Sequence, residues 1–408
     1  MARKKIYDWF YDLDNTLFAP NGEDYEILGY GGNDKIYGGE GDDLIKGGDG
    51  HDKLFGGRGD DTIEGGDGTD TIYIDRGNNV YDGGAGYDTF AFQNVSTYVS
   101  NTLFGPVGSA TITNFEIGFR VDIETGDTRA QVQTVNGISA AYSDFWGNNS
   151  FSNFQAYSMG NGDDILRGNN AGHDMYGWDG DDTLEGRGGA DFLHGGEGDD
   201  TASYESSGGG VTANLQTRQS QFNDAAGDTY YLIENLIGSR FGDDLIGDGN
   251  DNRLEGGDGN DDLLGGDGND TLDGGDDQDI LVGGKGRDVM TGGDGADVFK
   301  FNAVAEMGTT AATRDVIADF DRFMDTIDLT AIDADSNTKA FERFDFVGSS
   351  AFSGEAGELR VGQTLIGGEI AYLVQGDRNG DAVADFVIEV HSNGILQAND
   401  FLLPDFLL

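Results

Sequence analysis

The chain has 408 residues, 76 acidic against 24 basic, a formal net charge of −52, 70 glycines, three prolines and no cysteine. Such a charge repels nucleic acid and anionic membranes and favours cations, while the missing cysteines exclude disulfides and thiolate metal sites. With 37% hydrophobic residues, 25 Phe and 16 Tyr, the composition is that of a folding chain and not of a disordered acidic tail.

The N-terminus, MARKKIYDWFYDLDN, opens on a basic cluster, but Asp8, Asp12 and Asp14 interrupt the apolar run that a cleaved signal peptide needs. No stretch is long and apolar enough to span a membrane. Residues 10–18, FYDLDNTLF, resemble the first motif of haloacid-dehalogenase-type phosphatases, with Asp12, Asp14 and Thr16 at the matching positions. No strand–helix alternation follows that could build the α/β domain such chemistry requires. The stretch reads instead as a terminal cap, in which Ile6, Trp9, Phe10, Leu13, Leu17 and Phe18 cover the open apolar end of the next element.

From Gly29 the chain falls into nine-residue units, among them GYGGNDKIY, GGEGDDLIK and GGDGHDKLF, seven in all to Ala91. A second array of five runs from Met159 to Ser203 and a third of seven from Gly238 to Lys300. Glycines at positions one, two and four permit a tight six-residue turn that a Cβ would forbid. Peptide carbonyls can then face inward beside the aspartate at position six, an all-oxygen set that suits calcium. The last three residues read as a short strand whose middle side chain, such as Ile36, Leu54, Leu263 or Leu272, points inside.

The unit resembles the GGxGxDxUx nonapeptide of RTX proteins, a calcium-binding parallel β-helix repeat. The resemblance implies turns stacked into β-rolls, with each ion held between one turn and its neighbour on the same side. The candidate ligands are Asp34, Asp43, Asp52, Asp61, Asp70 and Asp88 in the first array and Asp164, Asp182, Asp191 and Asp200 in the second. The third contributes Asp243, Asp261, Asp270, Asp279, Asp288 and Asp297, and worn units stand at Asn79 and Asn252. The family pattern implies roughly a dozen Ca²⁺ ions, whose charge would offset about half of the chain's own. Ordering nine residues costs on the order of 10 kcal/mol, against about 1.5–3 kcal/mol for one buried aliphatic. Calcium is therefore expected to decide whether the rolls fold.

Segments 93–158 and 204–237 lack the nine-residue period and read as β-rich inserts that cap exposed roll ends. The first carries the aromatics Phe104, Phe115, Trp146, Phe151, Phe154 and Tyr157 and the acids Glu116, Asp122, Glu124, Asp127 and Asp144. Residues 301–408, with RDVIADFDRFMDTIDLTAIDA and the tail NDFLLPDFLL, resemble the C-terminal region of serralysin-type secreted proteases. That resemblance implies a roll cap and an uncleaved type I secretion signal in the acidic-then-apolar tail. The HExxH zinc motif of those proteases is absent. Asp377, Asn379, Asp381 and Asp385 have EF-hand-like spacing, but Ala382 replaces the usual glycine and Ile388 the bidentate glutamate, so calcium loop and polar hairpin turn both remain open.

The expected fold is all-β, calcium-loaded parallel β-rolls. Its order is cap 1–28, roll 29–92, insert 93–158, roll 159–203, insert 204–237, roll 238–300 and C-terminal cap with secretion region 301–408. The expected function is that of a secreted, extracellular or cell-surface protein without catalytic residues. It would fold on calcium after passing the type I secretion machinery and serve a structural or interaction role, as a homo-oligomer or filament component or an adhesin. The alternative is an enzyme or accessory module, polysaccharide-active or a divergent hydrolase, with its site in 93–158.

Overall fold

A nonapeptide supplies one strand and one turn, so two of them close a circuit and the strand ladder repeats every eighteen residues. The computed structural model describes residues 3–7, 13–20, 22–73, 77–91, 117–122, 127–132, 150–152, 155–159, 162–338 and 341–403, with backbone alone for 117–122, 127–132 and 150–152. Two units result: residues 1–203 with 227–233, and 204–226 with 234–408.

In the first unit, Tyr25–Gly31, Leu44–Gly50, Thr62–Gly68 and Val80–Gly86 form one parallel sheet. Lys35–Glu40, Lys53–Arg58, Thr71–Tyr73 and Thr89–Ala91 form the other. Alternation within each strand sends Ile27, Ile45, Ile63 and Tyr81 inward from one sheet and Ile36, Leu54, Ile72 and Phe90 from the other, all at most 1% exposed. The ladder needs backbone freedom at position two: Gly48 has φ +117°, and a Cβ there would meet the Tyr30 carbonyl oxygen at 2.0 Å.

The N-terminal segment forms a first turn of this roll. Lys4–Tyr7 pairs with Tyr25–Gly31 and Thr16–Phe18 with Lys35–Glu40, which puts Ile6 beside Ile27 and Leu17 beside Ile36. Ile6 and Leu17 are half-buried there, whereas Leu13 and Phe18 are 59% and 64% exposed. In a three-residue strand with Leu17 turned inward, Phe18 must point out. Trp9, Phe10 and Asp12 lie outside the described residues. Asp14 accepts the Asn33 N–H at 2.8 Å, a turn-to-turn bond with no catalytic geometry.

Both segments read as inserts contribute strands to the rolls. Ser150–Ser152 pairs with Val80–Gly86, and Ala156–Ser158 bridges Thr89–Ala91 and Asp174–Asp179. Ile117–Asp122 and Asp127–Val132 make a hairpin placing Asp122 opposite Asp127. Phe104, Phe115, Glu116, Glu124, Asp144, Trp146 and Phe154 lie outside the described residues. From the second insert, Thr229–Tyr231 extends the first unit through Phe192–Glu197. Thr212–Asn214 and Asn235–Ile237 pair in the second unit with Asp244–Ile246 and Arg253–Asp258. The nine-residue period is a property of the glycine turns; strand pairing needs only an inward residue, and Ala213, Tyr230 and Leu236 provide it.

The second unit's roll also runs on past Lys300. Val316–Phe320 pairs with Val289–Asp294, Thr326–Asp328 with Val298–Lys300, and Phe401–Leu402 with Thr326–Asp328. An antiparallel sheet of Glu358–Ile366, Glu369–Asp377 and Phe386–Ser392 joins Val316–Phe320. Its core is Phe320, Phe344, Leu359, Val374, Phe386, Ile388 and Val390, each at most 1% exposed. Asp405 to Leu408 of the expected secretion tail lie outside the described residues. No helix among those described is long and apolar enough to cross a membrane.

Candidate metal centre

Because the ladder repeats every eighteen residues, the position-six aspartates stack into columns. The Asp34 N–H donates to Asp52 Oδ1 at 2.7 Å, Asp52 to Asp70 at 2.8 Å and Asp70 to Asp88 at 2.9 Å. A second column of the same unit joins Asp43 to Asp61 and Asp61 to Asn79, each at 2.7 Å. Asp164, Asp182 and Asp200 form a further run, and Asp191 accepts the His173 N–H. In the second unit, Asp243, Asp261, Asp279 and Asp297 form one column and Asn252, Asp270 and Asp288 another. Every position-six aspartate expected from the sequence is at most 2% exposed.

This bond uses one carboxylate oxygen. In Asp43, Asp52, Asp61, Asp70, Asp88, Asp182, Asp191, Asp261, Asp270, Asp279, Asp288 and Asp297 the other, Oδ2, is buried without a hydrogen-bond partner among the described residues. A buried acceptor left so costs about 1–3 kcal/mol. The first glycine of the unit packs directly against it, where no side chain would fit. A Cβ on Gly47 would stand 2.2 Å from Asp52 Oδ2 and 2.5 Å from the Gly65 carbonyl oxygen, and Gly265 repeats the arrangement with Asp270 and Gly283. A carboxylate oxygen and a carbonyl of the next turn thus lie together beside each such glycine, an oxygen cradle that a Cβ would invade. Among the described residues no three acidic or histidine side chains gather at one point, so a cation there would draw on backbone carbonyls as well. Such hard-oxygen donors fit calcium and disfavour zinc or copper.

Burial, and then the carboxylates of adjacent turns, push these groups up against the relief their backbone hydrogen bonds give. Asp52 and Asp70 rise to about 6, Asp61, Asp261 and Asp270 to about 7, and Asp182 to about 9. Ionised together, the columns need a cation.

The columns take in residues that sequence reasoning missed. Asp191 N–H donates to Asp228 Oδ1 at 2.8 Å, Asp288 to Asp315 and Asp297 to Asp325, both at 3.0 Å. Burial raises Asp315 to about 8. Each precedes a residue and an inward apolar one, in Asp228-Thr229-Tyr230, Asp315-Val316-Ile317 and Asp325-Thr326-Ile327. That triplet, sought without its glycines, would have found them. Asn79 and Asn252 keep the column bond but turn an amide donor where the second oxygen would be, toward Tyr81 Oη and the Glu234 carbonyl. His173 holds a column position too, with Nδ1 3.3 Å from Asp191 Oδ1.

Asp377, Asn379, Asp381 and Asp385 lie apart from the columns, on the hairpin loop between Glu369–Asp377 and Phe386–Ser392. Asp377 accepts the N–H groups of Asn379, Gly380 and Ala382, and Asp385 accepts from Arg378 N–H and Asn379 Nδ2. These carboxylates accept hydrogen bonds within their own loop, as polar turns do.

The family model of the RTX calcium-binding nonapeptide repeat matches residues 28–63, 46–81, 55–90 and 175–203, and that of the peptidase M10 serralysin C terminal matches residues 223–403. Among solved structures, the AlgE6R3 subunit of the Azotobacter vinelandii mannuronan C5-epimerase is 24% identical over 40% of this chain and 78% of that one, with a TM-score of 0.22. The AlgE6R2 subunit is 26% identical over 41% and 92%, with a TM-score of 0.23. No curated protein matches the chain.

Proposed function

We propose that this chain, which carries RTX calcium-binding nonapeptide repeats followed by a serralysin-type C-terminal region, is exported through type I secretion machinery and folds on calcium outside the cell. There it serves a structural or interaction role and not a catalytic one. The observation that supports this best is the set of twelve buried aspartates in these columns that bond the preceding turn through one oxygen and, among the described residues, have no hydrogen-bond partner for the other. Calcium, when bound, would neutralise those charges and draw its ligands from these oxygens. Asp43, Asp52, Asp61, Asp70, Asp88, Asp182, Asp191, Asp261, Asp270, Asp279, Asp288 and Asp297 would hold it, together with carbonyls such as those of Gly65 and Gly283.

Cytosolic calcium is scarce and extracellular calcium plentiful, so a fold coupled to the ion by mass action stays open until export is complete. Far-UV circular dichroism with light scattering, in chelator and then in millimolar calcium, tests the reading. It expects an expanded coil that turns into β structure; full β structure in chelator would refute it.

A further inference from the structure

On the outer face of a roll, positions seven and nine of alternate units form columns with the pitch of a parallel ladder. On one sheet of the first unit the position-nine column is Phe18, Tyr37, Phe55 and Tyr73. Their rings stack at 4.8, 4.6 and 4.3 Å and lie within 10° of parallel. The adjacent column carries Lys35 and Lys53, which are direct register partners and both exposed. Neither forms an ion pair among the described residues, whereas Lys5, Lys46 and Arg58 of the same unit are matched with Glu26, Glu64 and Glu40. Lys35 Nζ lies instead 5.3 Å from the Tyr37 ring centre and 5.6 Å from that of Phe55.

The second unit carries the opposite strip. Asp244 and Asp262 are register partners at position seven, both exposed, with Ile280 next in the column. Ile246, Leu264 and Val282 form the position-nine column beside them. Leu264 and Ile280 are 39% and 40% exposed. Like charges on adjacent rungs repel; Lys300 lies near Asp262 and Thr212 Oγ1 donates to Asp244, and the two strips remain opposite in sign.

If two such faces meet with strands parallel and roll axes opposed, position seven faces position seven. Lys35 then meets Asp262, Lys53 meets Asp244, and the rings of Tyr37 and Phe55 meet Leu264 and Ile246. Charge, apolar surface and pitch agree in a single orientation. We propose that this chain binds a second copy of itself through these strips, the lysine-and-ring strip of one copy seated on the aspartate-and-aliphatic strip of the other. The inference deepens the interaction role proposed above and rests on it.

Sedimentation velocity of the full chain in millimolar calcium tests it with two charge-reversed variants, Lys35→Glu with Lys53→Glu and Asp244→Lys with Asp262→Lys. Each is expected to weaken self-association ~10-fold or more and to lower its salt dependence. The variant carrying all four changes is expected to regain the wild-type affinity, a result no folding defect could give, and circular dichroism of all variants should match wild type. Reversed variants that associate as tightly as wild type, or a four-fold variant that stays weak, would overturn this interface and leave the interaction role standing. A wild type that remains monomeric would overturn the interface and self-association together.

Discussion

The first roll and the C-terminal hairpin both close their strands with aspartate-rich turns, and they employ those aspartates in opposite ways. In the roll, Asp52 accepts an N–H of the preceding turn through one oxygen and buries the other without a hydrogen-bond partner among the described residues. In the hairpin, Asp377 is fully buried as well, yet it accepts three N–H groups of its own loop. The hydrophobic content differs in the same sense. A roll turn buries one apolar side chain per nine residues, while the hairpin sheet packs Leu359, Val374, Phe386, Ile388 and Val390 into one core. The first design is incomplete as protein alone; the second completes itself. Aspartate density is therefore a poor guide to calcium, and the informative feature is a buried carboxylate oxygen that the chain does not satisfy.

Chelation should break the comparison most sharply. Hydrogen exchange in EDTA is expected to show residues 25–91 and 239–300 losing protection throughout and residues 358–392 losing less; equal loss in both would remove the distinction.

Single carboxylates come next. Asp270→Ala strips the Asn252 N–H of its acceptor and the cradle of its anionic ligand, so it should lower stability in calcium by about 3 kcal/mol. Asp381→Ala, on the exposed hairpin loop, should stay within about 0.5 kcal/mol. Denaturant titrations of the two variants give the contrast directly.

A smaller effect is expected from filling the cradle. Gly47→Ala drives a methyl to 2.2 Å from Asp52 Oδ2 and should cost about 2 kcal/mol while raising the calcium midpoint. Gly208→Ala meets nothing within 4 Å and should change neither quantity.

The gentlest test is pH, where the two regions have slopes of opposite sign. The folded pKa values of Asp52, Asp61 and Asp270, at about 6, 7 and 7, lie above the ordinary carboxylate value. The metal-free roll is thus most stable in acid, below the unfolded value, and loses that stability as pH rises through about 6 to 7. In calcium the protons compete with the ion, so the calcium midpoint should rise as pH falls through the same window. Glu389 in the C-terminal sheet behaves in reverse. Burial works against its charge, but hydrogen bonds from His391 and Arg314 outweigh it and hold the carboxyl below its usual range. Its contribution is present above the unfolded value and lost as pH falls through the lower folded one. Circular dichroism in EDTA at pH 4.5 and 8 reads the roll; exchange protection in residues 386–392 over the acid range reads the sheet.

The rolls were legible in the sequence because glycine turns impose a strict spacing, which fixed both the inward column from Ile36 to Phe90 and the aspartates from Asp34 to Asp297. Asp228, Asp315 and Asp325 escaped because their turns are built without that glycine run, although the Asp-x-apolar triplet survives. Phe18 is apolar yet exposed, because alternation in a strand with Leu17 inward sends it outward, which apolar character alone does not reveal. Neither outer strip could be seen along the chain, since Lys35 and Lys53 become neighbours only once the eighteen-residue pairing is known.

The central claim is that calcium completes the carboxylate columns, and counting bound ions against β content tests it most directly. Equilibrium dialysis at neutral pH, with circular dichroism on the same samples, should give roughly a dozen ions per chain, with β signal rising in step with occupancy. Full β structure with no calcium bound, or calcium bound without any gain in β structure, would contradict it.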